Sequence, residues 1–134
     1  MFDSLDISSS ALTAQRIRMD TIAANTANMN TTHDAAGKPN PYRRRFAVFA
    51  PGQPDNHNAP GVHVEQIKLD DSAFRKVHDP TNVDADKDGN VSFPNIDLSI
   101  EYVNMLEASR AYEANVTTME VNKSMLNAAL RLIA

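Results

Sequence analysis

Residues 84–95 read DADKDGNVSFPN, and the spacing of their carboxylates suits a hard cation. Asp84, Asp86, Asp88 and Gly89 match the opening of an EF-hand calcium loop, and Val91 stands where that loop takes an apolar residue. Such a loop closes on a bidentate glutamate at its twelfth position. Here that position is Asn95, and Pro94 stands where the exiting helix should already be under way. Without the two glutamate oxygens, calcium affinity drops sharply. The segment therefore reads first as an acidic turn in which aspartate side chains and Gly89 set the backbone. A calcium-responsive binding module using Asp84, Asp86 and Asp88 is the alternative reading.

Other side chains with chemical potential are dispersed. His33, His57, His63 and His78 show no HxxxH pair, and there is no cysteine to support them. A zinc site, or a small hydrolase built on histidine and aspartate, would need assembly over long range. No nucleophile triad signature or glycine-rich phosphate loop is present. We therefore expect no enzyme activity, no catalytic residue, no bound metal and no cofactor. Arg43, Arg44 and Arg45 form a basic run in which Arg43 and Arg45 share a strand face. A solvated strand or a protein contact suits it better than phosphate, because no larger basic surface surrounds it. The 134 residues carry 13 basic and 17 acidic side chains, a net charge of −4, which argues against nucleic acid as a partner. No apolar run is long enough to insert into a membrane, and MFDSLDISSS lacks the features of a secretory signal. Asn115-Val-Thr117 matches a glycosylation sequon but lies in an expected helix.

Glycine and proline divide the chain. All seven prolines fall within 39–94 and all four glycines within 37–89. The flanks lack both helix breakers, so the expected fold class is α+β. Residues 1–36 should hold an N-terminal helix, 37–94 a β-containing middle segment, and 95–134 a C-terminal helix. In the last, Leu98, Met105, Tyr112, Met119, Leu126 and Ile133 recur at sevens. Tyr102, Ser109, Val116, Lys123 and Leu130 follow four residues later, which makes a coiled-coil-like seam. Asn95 or Asp97 can cap that helix, which would be about 55 Å long. The first segment repeats the period with Leu5, Leu12 and Met19, joined by Ser8, Gln15, Ile22 and Met29. Ser4 is its expected cap, and its end is expected near 28–30, where turn-forming residues begin. In the middle, 42–50 and 61–69 read as strands around a loop. Val62 and Val64 share one face while Ile67 and Leu69 take the other, so a bulge or a strong twist belongs near Glu65. Residues 72–79 can add a short strand.

A seam of this length is packing surface, and the question is what covers it. A hairpin between the two helices is one answer. The stripe continues through Leu130, Leu132 and Ile133 on a helix longer than the middle segment can cover, which favours an intermolecular component.

SALTAQRIRMDTIAANTANMNT (10–31) resembles the N-terminal motif of the axial proteins of the bacterial flagellum, the rod, hook and hook-associated family. ASRAYEANVTTMEVNKSML (108–126) resembles their C-terminal motif. In the middle, GKPNPYRRRFAVF (37–49), FRKVHDPTNVDADKDGNV (74–91) and PNIDL (94–98) look like the proximal-rod members. The sequence departs from the motif at Thr26, where the family commonly has an apolar residue.

The resemblance implies a structural subunit of the periplasmic drive shaft, exported through the flagellar type III apparatus without a cleaved signal. Its terminal segments would be disordered in the free subunit and form the helical core of a tube on assembly. Implied partners are copies of itself, other proximal and distal rod subunits, and the protein joining the rod to the MS ring. Leu5, Leu12, Met19, Ile22, Leu98, Met105 and Leu126 would pack between subunits, with Tyr112, Val116 and Met119 as buried anchors. Asn25, Asn28, Asn30 and Thr31 would shape the end of the first helix. Ser109 and Asn115 belong to the second motif, in which Arg110 and Glu113 would make charged contacts between neighbouring helices.

Overall fold

A computed structural model describes residues 2–133, Phe2 by its backbone alone. The order is α1 (Phe2–Ala27), β1 (Arg45–Pro51), β2 (Val62–Leu69), β3 (Arg75–His78), β4 (Asn90–Phe93) and α2 (Leu98–Ile133). The chain is α+β, as the placement of glycine and proline implies.

The helix ends have local causes. Asp97 caps α2, its Oδ1 accepting from the amides of Ser99 at 2.8 Å and Ile100 at 3.4 Å. Asn95 instead donates to Ser72 Oγ at 3.1 Å. Ser4 does not cap α1, because the helix already includes Phe2 and places Asp3 in its first turn, where the helix dipole favours an acid. At the other end Asn28 Nδ2 donates to Ala24 O at 2.9 Å and Asn28 Oδ1 accepts from Thr31 Oγ1 at 3.1 Å, so the side chain serves the last turn and stops it.

β1 and β2 pair antiparallel. Val48 lies opposite Gln66 and Phe49 opposite Val64, so Glu65 is the extra residue of a bulge. The bulge changes which side chains face α1. Val62 and Val64 are half-buried, whereas Ile67 and Leu69 are 50% and 52% exposed. β1 begins at Arg45 and not at Tyr42, because the Tyr42 amide bonds Thr31 O at 3.0 Å in the turn after α1. β3 finds its partner in β4, inside the segment read as an acidic turn, and Val77 pairs with Val91. Neither β3 nor β4 packs against a helix or the other sheet.

The two helices lie antiparallel, since Asn25 meets Glu101 while Met19 meets Ser109. Their shared interior is thin. Among the described residues the apolar side chains buried on the helices are Ala14, Ile22 and Ala108, with Ser8, Thr21, Asn25 and Glu101 buried beside them, whereas Thr32, Val91 and Pro94 are buried outside the helices. The accessible surface is 9190 Å², whereas a compact monomer of 14.7 kDa exposes about 6,900 Å². The excess of roughly 2,300 Å² exceeds what one partner covers in an ordinary interface, about 800 Å².

Candidate assembly interface

One end of the helix pair is locked by polar groups. The Asn25 side chain is fully buried and uses every hydrogen-bonding position it has. Its Nδ2 donates to Arg45 O at 2.7 Å and to Glu101 Oε2 at 3.1 Å, while its Oδ1 accepts from Arg45 N at 2.9 Å and Tyr42 Oη at 3.3 Å. Glu101, 1% exposed, receives Arg44 Nε on its other oxygen at 2.6 Å. Arg44 also reaches Asp70 at 3.7 Å. Two groups at this joint have shifted acidities. Burial pushes the Tyr42 phenol up, with Arg45 opposing and Glu101 adding to the rise. The Ser72 amide on Asp70 holds that carboxyl below its usual range, helped by the Ser72 hydroxyl, Arg44 and Arg43.

Arg43 and Arg44 of the basic run are thus engaged in internal contacts, while Arg45 stays exposed. Arg43 donates to Asp70 O at 3.0 Å and lies 4.4 Å over the Phe74 ring, and Arg45 lies over Tyr42 at 5.3 Å.

Beyond the lock, the helices meet along a stripe offset from the apolar heptads. Glu101 and Ala108 are the buried residues of α2, and Asn115, Asn122 and Ala129 continue their spacing as half-buried positions. Met105, Tyr112, Val116, Met119 and Leu126 flank this stripe, half-buried. On α1, Ile22 is buried and Leu5, Leu12 and Met19 are half-buried. Leu98, Tyr102, Leu130 and Ile133 are 50%, 65%, 57% and 85% exposed. Contacts across the helices include Arg18 Nη2 to Glu107 Oε2 at 3.2 Å and Ser109 Oγ to Met19 Sδ at 3.6 Å. Asn115 Nδ2 bonds Ala111 O of its own helix at 2.8 Å. Arg110, Glu113 and Asn30 are exposed, and among the described residues neither Arg110 nor Glu113 forms an ion pair.

The acidic loop turns its carboxylates onto the chain. Asp86 Oδ1 accepts the amides of Asp88 at 2.9 Å and Asn90 at 2.8 Å. Asp84 Oδ2 accepts Thr32 Oγ1 at 2.5 Å and meets His33 Nδ1 at 3.3 Å, which ties the loop to the turn after α1. Among the described residues no three His, Asp or Glu side chains converge as a metal group. The His57 and His63 rings stack 5.9 Å apart, and His63 Nδ1 meets Gly52 O at 3.0 Å. His78 Nδ1 lies 3.3 Å from Asn90 Oδ1.

Comparison with known proteins agrees with a chain whose distinctive residues lie at helix contacts. Residues 5–32 match the family described as flagella basal body rod protein, and residues 87–132 match the flagellar basal body rod FlgEFG protein C-terminal family. The flagellar basal-body rod protein FlgC of Bacillus subtilis (strain 168) is 42% identical, over 98% of this chain and 97% of its own length. This chain belongs to the FlgC family of flagellar basal-body rod proteins. FlgC of Borreliella burgdorferi is 39% identical over 99% of this chain and 97% of its own. FlgC of Salmonella typhimurium (strain LT2) is 37% identical, covering 95% and 93%. As a FlgC-family member the chain is a structural subunit of the flagellar basal body, not an enzyme, and it assembles with other rod components.

Sequence reading missed Glu101, took Arg44 only as part of a basic run suited to solvent or a protein contact, and assigned Asn25 only to the helix end. The signal available was the second set of sevens, Glu101, Ala108, Asn115, Asn122 and Ala129, in which small and polar residues mark a close helix contact.

Proposed function

We propose that this chain is a subunit of the proximal rod and transmits motor torque across the periplasm. In this reading segments 1–36 and 95–134 form the axial core, and 37–94 faces outward. Leu98, Met105, Tyr112, Val116, Met119 and Leu126, with Leu5, Leu12, Met19 and Ile22, pack between neighbours. Those neighbours are copies of this chain, other proximal and distal rod subunits and the MS-ring/rod junction protein. The observation that carries the proposal is the stripe of exposed apolar side chains left on α2 after α1 has packed. Helices that share such stripes with several neighbours make a stiff bundle, and contacts that do not close into a ring extend it as a helix. Export through the flagellar type III apparatus without a cleaved signal fits the thin interior, because few buried apolar groups oppose unfolding before passage.

Aspartate at Tyr102 and at Leu130 tests the proposal, since neither side chain belongs to the monomer interior. Tyr102→Asp and Leu130→Asp proteins should melt like the parent by circular dichroism. Cells making only these variants should lack rods in isolated basal bodies and fail to swim. Normal rods and normal motility in both strains would overturn it.

A further inference from the structure

Resting on the reading that neighbours cover the α2 stripe, the two ends of the helix pair identify one such neighbour. At the locked end Ile22, Ala23 and Thr26 of α1 and Leu98, Tyr102 and Met105 of α2 line an open groove of about 410 Å³. Its one charged lining residue, Glu101, is already committed to Arg44 and Asn25, so the open wall is apolar.

At the opposite end α2 outruns α1. Asn25 stands against Glu101 and Arg18 against Glu107. Continuing that antiparallel register at 1.5 Å per residue places Phe2 beside about residue 125. The last two turns of α2 therefore extend about 12 Å beyond α1. They carry Leu130, Leu132 and Ile133, which are 57%, 89% and 85% exposed.

Groove and overhang match in period, length and charge. Leu98, Tyr102 and Met105 are spaced i, i+4, i+7, and so are Leu126, Leu130 and Ile133. A helix presenting the second set can set its side chains between those of the first, in the manner of coiled-coil layers. Eight residues of helix span about 12 Å, the length of the overhang. The overhang carries Arg131, while Asp20, one turn before Ala23, and Asp97, just ahead of Leu98, stand near the groove. Opposite charges at the rim favour the contact.

We infer that the groove takes the C-terminal two turns of α2 from a second copy of this chain, as a third helix running parallel to its own α2. Each copy then offers one groove and one overhang at opposite ends. The contact is head-to-tail and leaves a free end on every dimer, so it propagates along one axis.

The chain contains no cysteine, so introduced thiols report this contact without background. Full-length Tyr102→Cys and Leu130→Cys proteins are purified separately, mixed and oxidised. The mixed disulfide, identified by peptide mass, should exceed that from Lys87→Cys mixed with Leu130→Cys by about tenfold, a preference of about 1.4 kcal/mol. Lys87 is exposed in the β3–β4 loop and serves as the distant control. Met105→Cys with Ile133→Cys reads the same parallel register through a second pair and should behave alike. Yields equal to the control for both pairs would overturn the inference. So would faster self-coupling of Tyr102→Cys, which indicates a two-fold contact. The same pairs are then oxidised in rods isolated from cells. Rods that form and cross-link Tyr102→Cys only to a different rod protein would also refute self-docking, while the function proposed above would stand.

Discussion

The carboxamide of Asn25 holds Arg45 by both its backbone groups, donating to the carbonyl at 2.7 Å and accepting from the amide at 2.9 Å. It thereby acts as one residue of a β-strand placed on a helix, and it joins the end of α1 to the start of β1. Asn25→Ala leaves a buried amide and carbonyl unpaired and removes a donor from Glu101. Each such loss costs about 1–3 kcal/mol, so the variant should lose about 2–4 kcal/mol in urea unfolding. Asn25→Asp should be no better, since it sets a second carboxylate beside Glu101.

Glu101 and Arg44 make a second test. Removing Arg44 strands the fully buried Glu101 carboxylate, so Arg44→Ala should cost about 3–5 kcal/mol in the same measurement. Replacing the pair with apolar groups, Arg44→Met with Glu101→Leu, should restore most of that loss. By contrast Arg18→Ala, which breaks a pair whose Glu107 side chain is 66% exposed, should change stability by less than about 1 kcal/mol.

Asp70 sets an acid-dependent contribution. Its pKa is lowered in the fold, chiefly by the Ser72 amide, so folding favours the carboxylate. The contribution is complete above the ordinary carboxylate range and is lost as pH falls below about 4 through the lowered pKa. Melting temperature followed against pH should therefore drop less on the acid side for Asp70→Asn than for the parent.

Gly52 has φ +87° and lies against His57. A Cβ there would stand 2.5 Å from the His57 carbonyl oxygen, and the obstruction is backbone. Gly52→Ala should destabilise by about 1–3 kcal/mol and separate the stacked rings of His57 and His63, visible as shifted imidazole resonances.

Both helices were legible because glycine and proline are absent from the flanks and the apolar residues recur at sevens. The bulge was legible because Val62 and Val64 disagree in parity with Ile67 and Leu69, and the chain resolves that disagreement at Glu65. β4 was hidden, since its four residues end a segment whose carboxylates dominate the local pattern. Glu101 was hidden for a different reason. A lone glutamate on an amphipathic helix reads as solvated until a cation 57 residues earlier is known to fold against it. The contact stripe was displaced from the apolar heptads because close helix approach selects small residues, leaving the larger ones at its margin.

The polar lock sits at one end of the helix pair only. Farther along, contact rests on half-buried side chains and small residues, and the last turns of α2 have no companion in α1. Resistance to prying apart therefore falls steadily from Asn25 toward Leu5, as in a clothes-peg sprung at one end. The tail of α2 can therefore swing without disturbing the joint between Asn25 and Arg45, where the spring of the peg meets the β1–β2 ribbon.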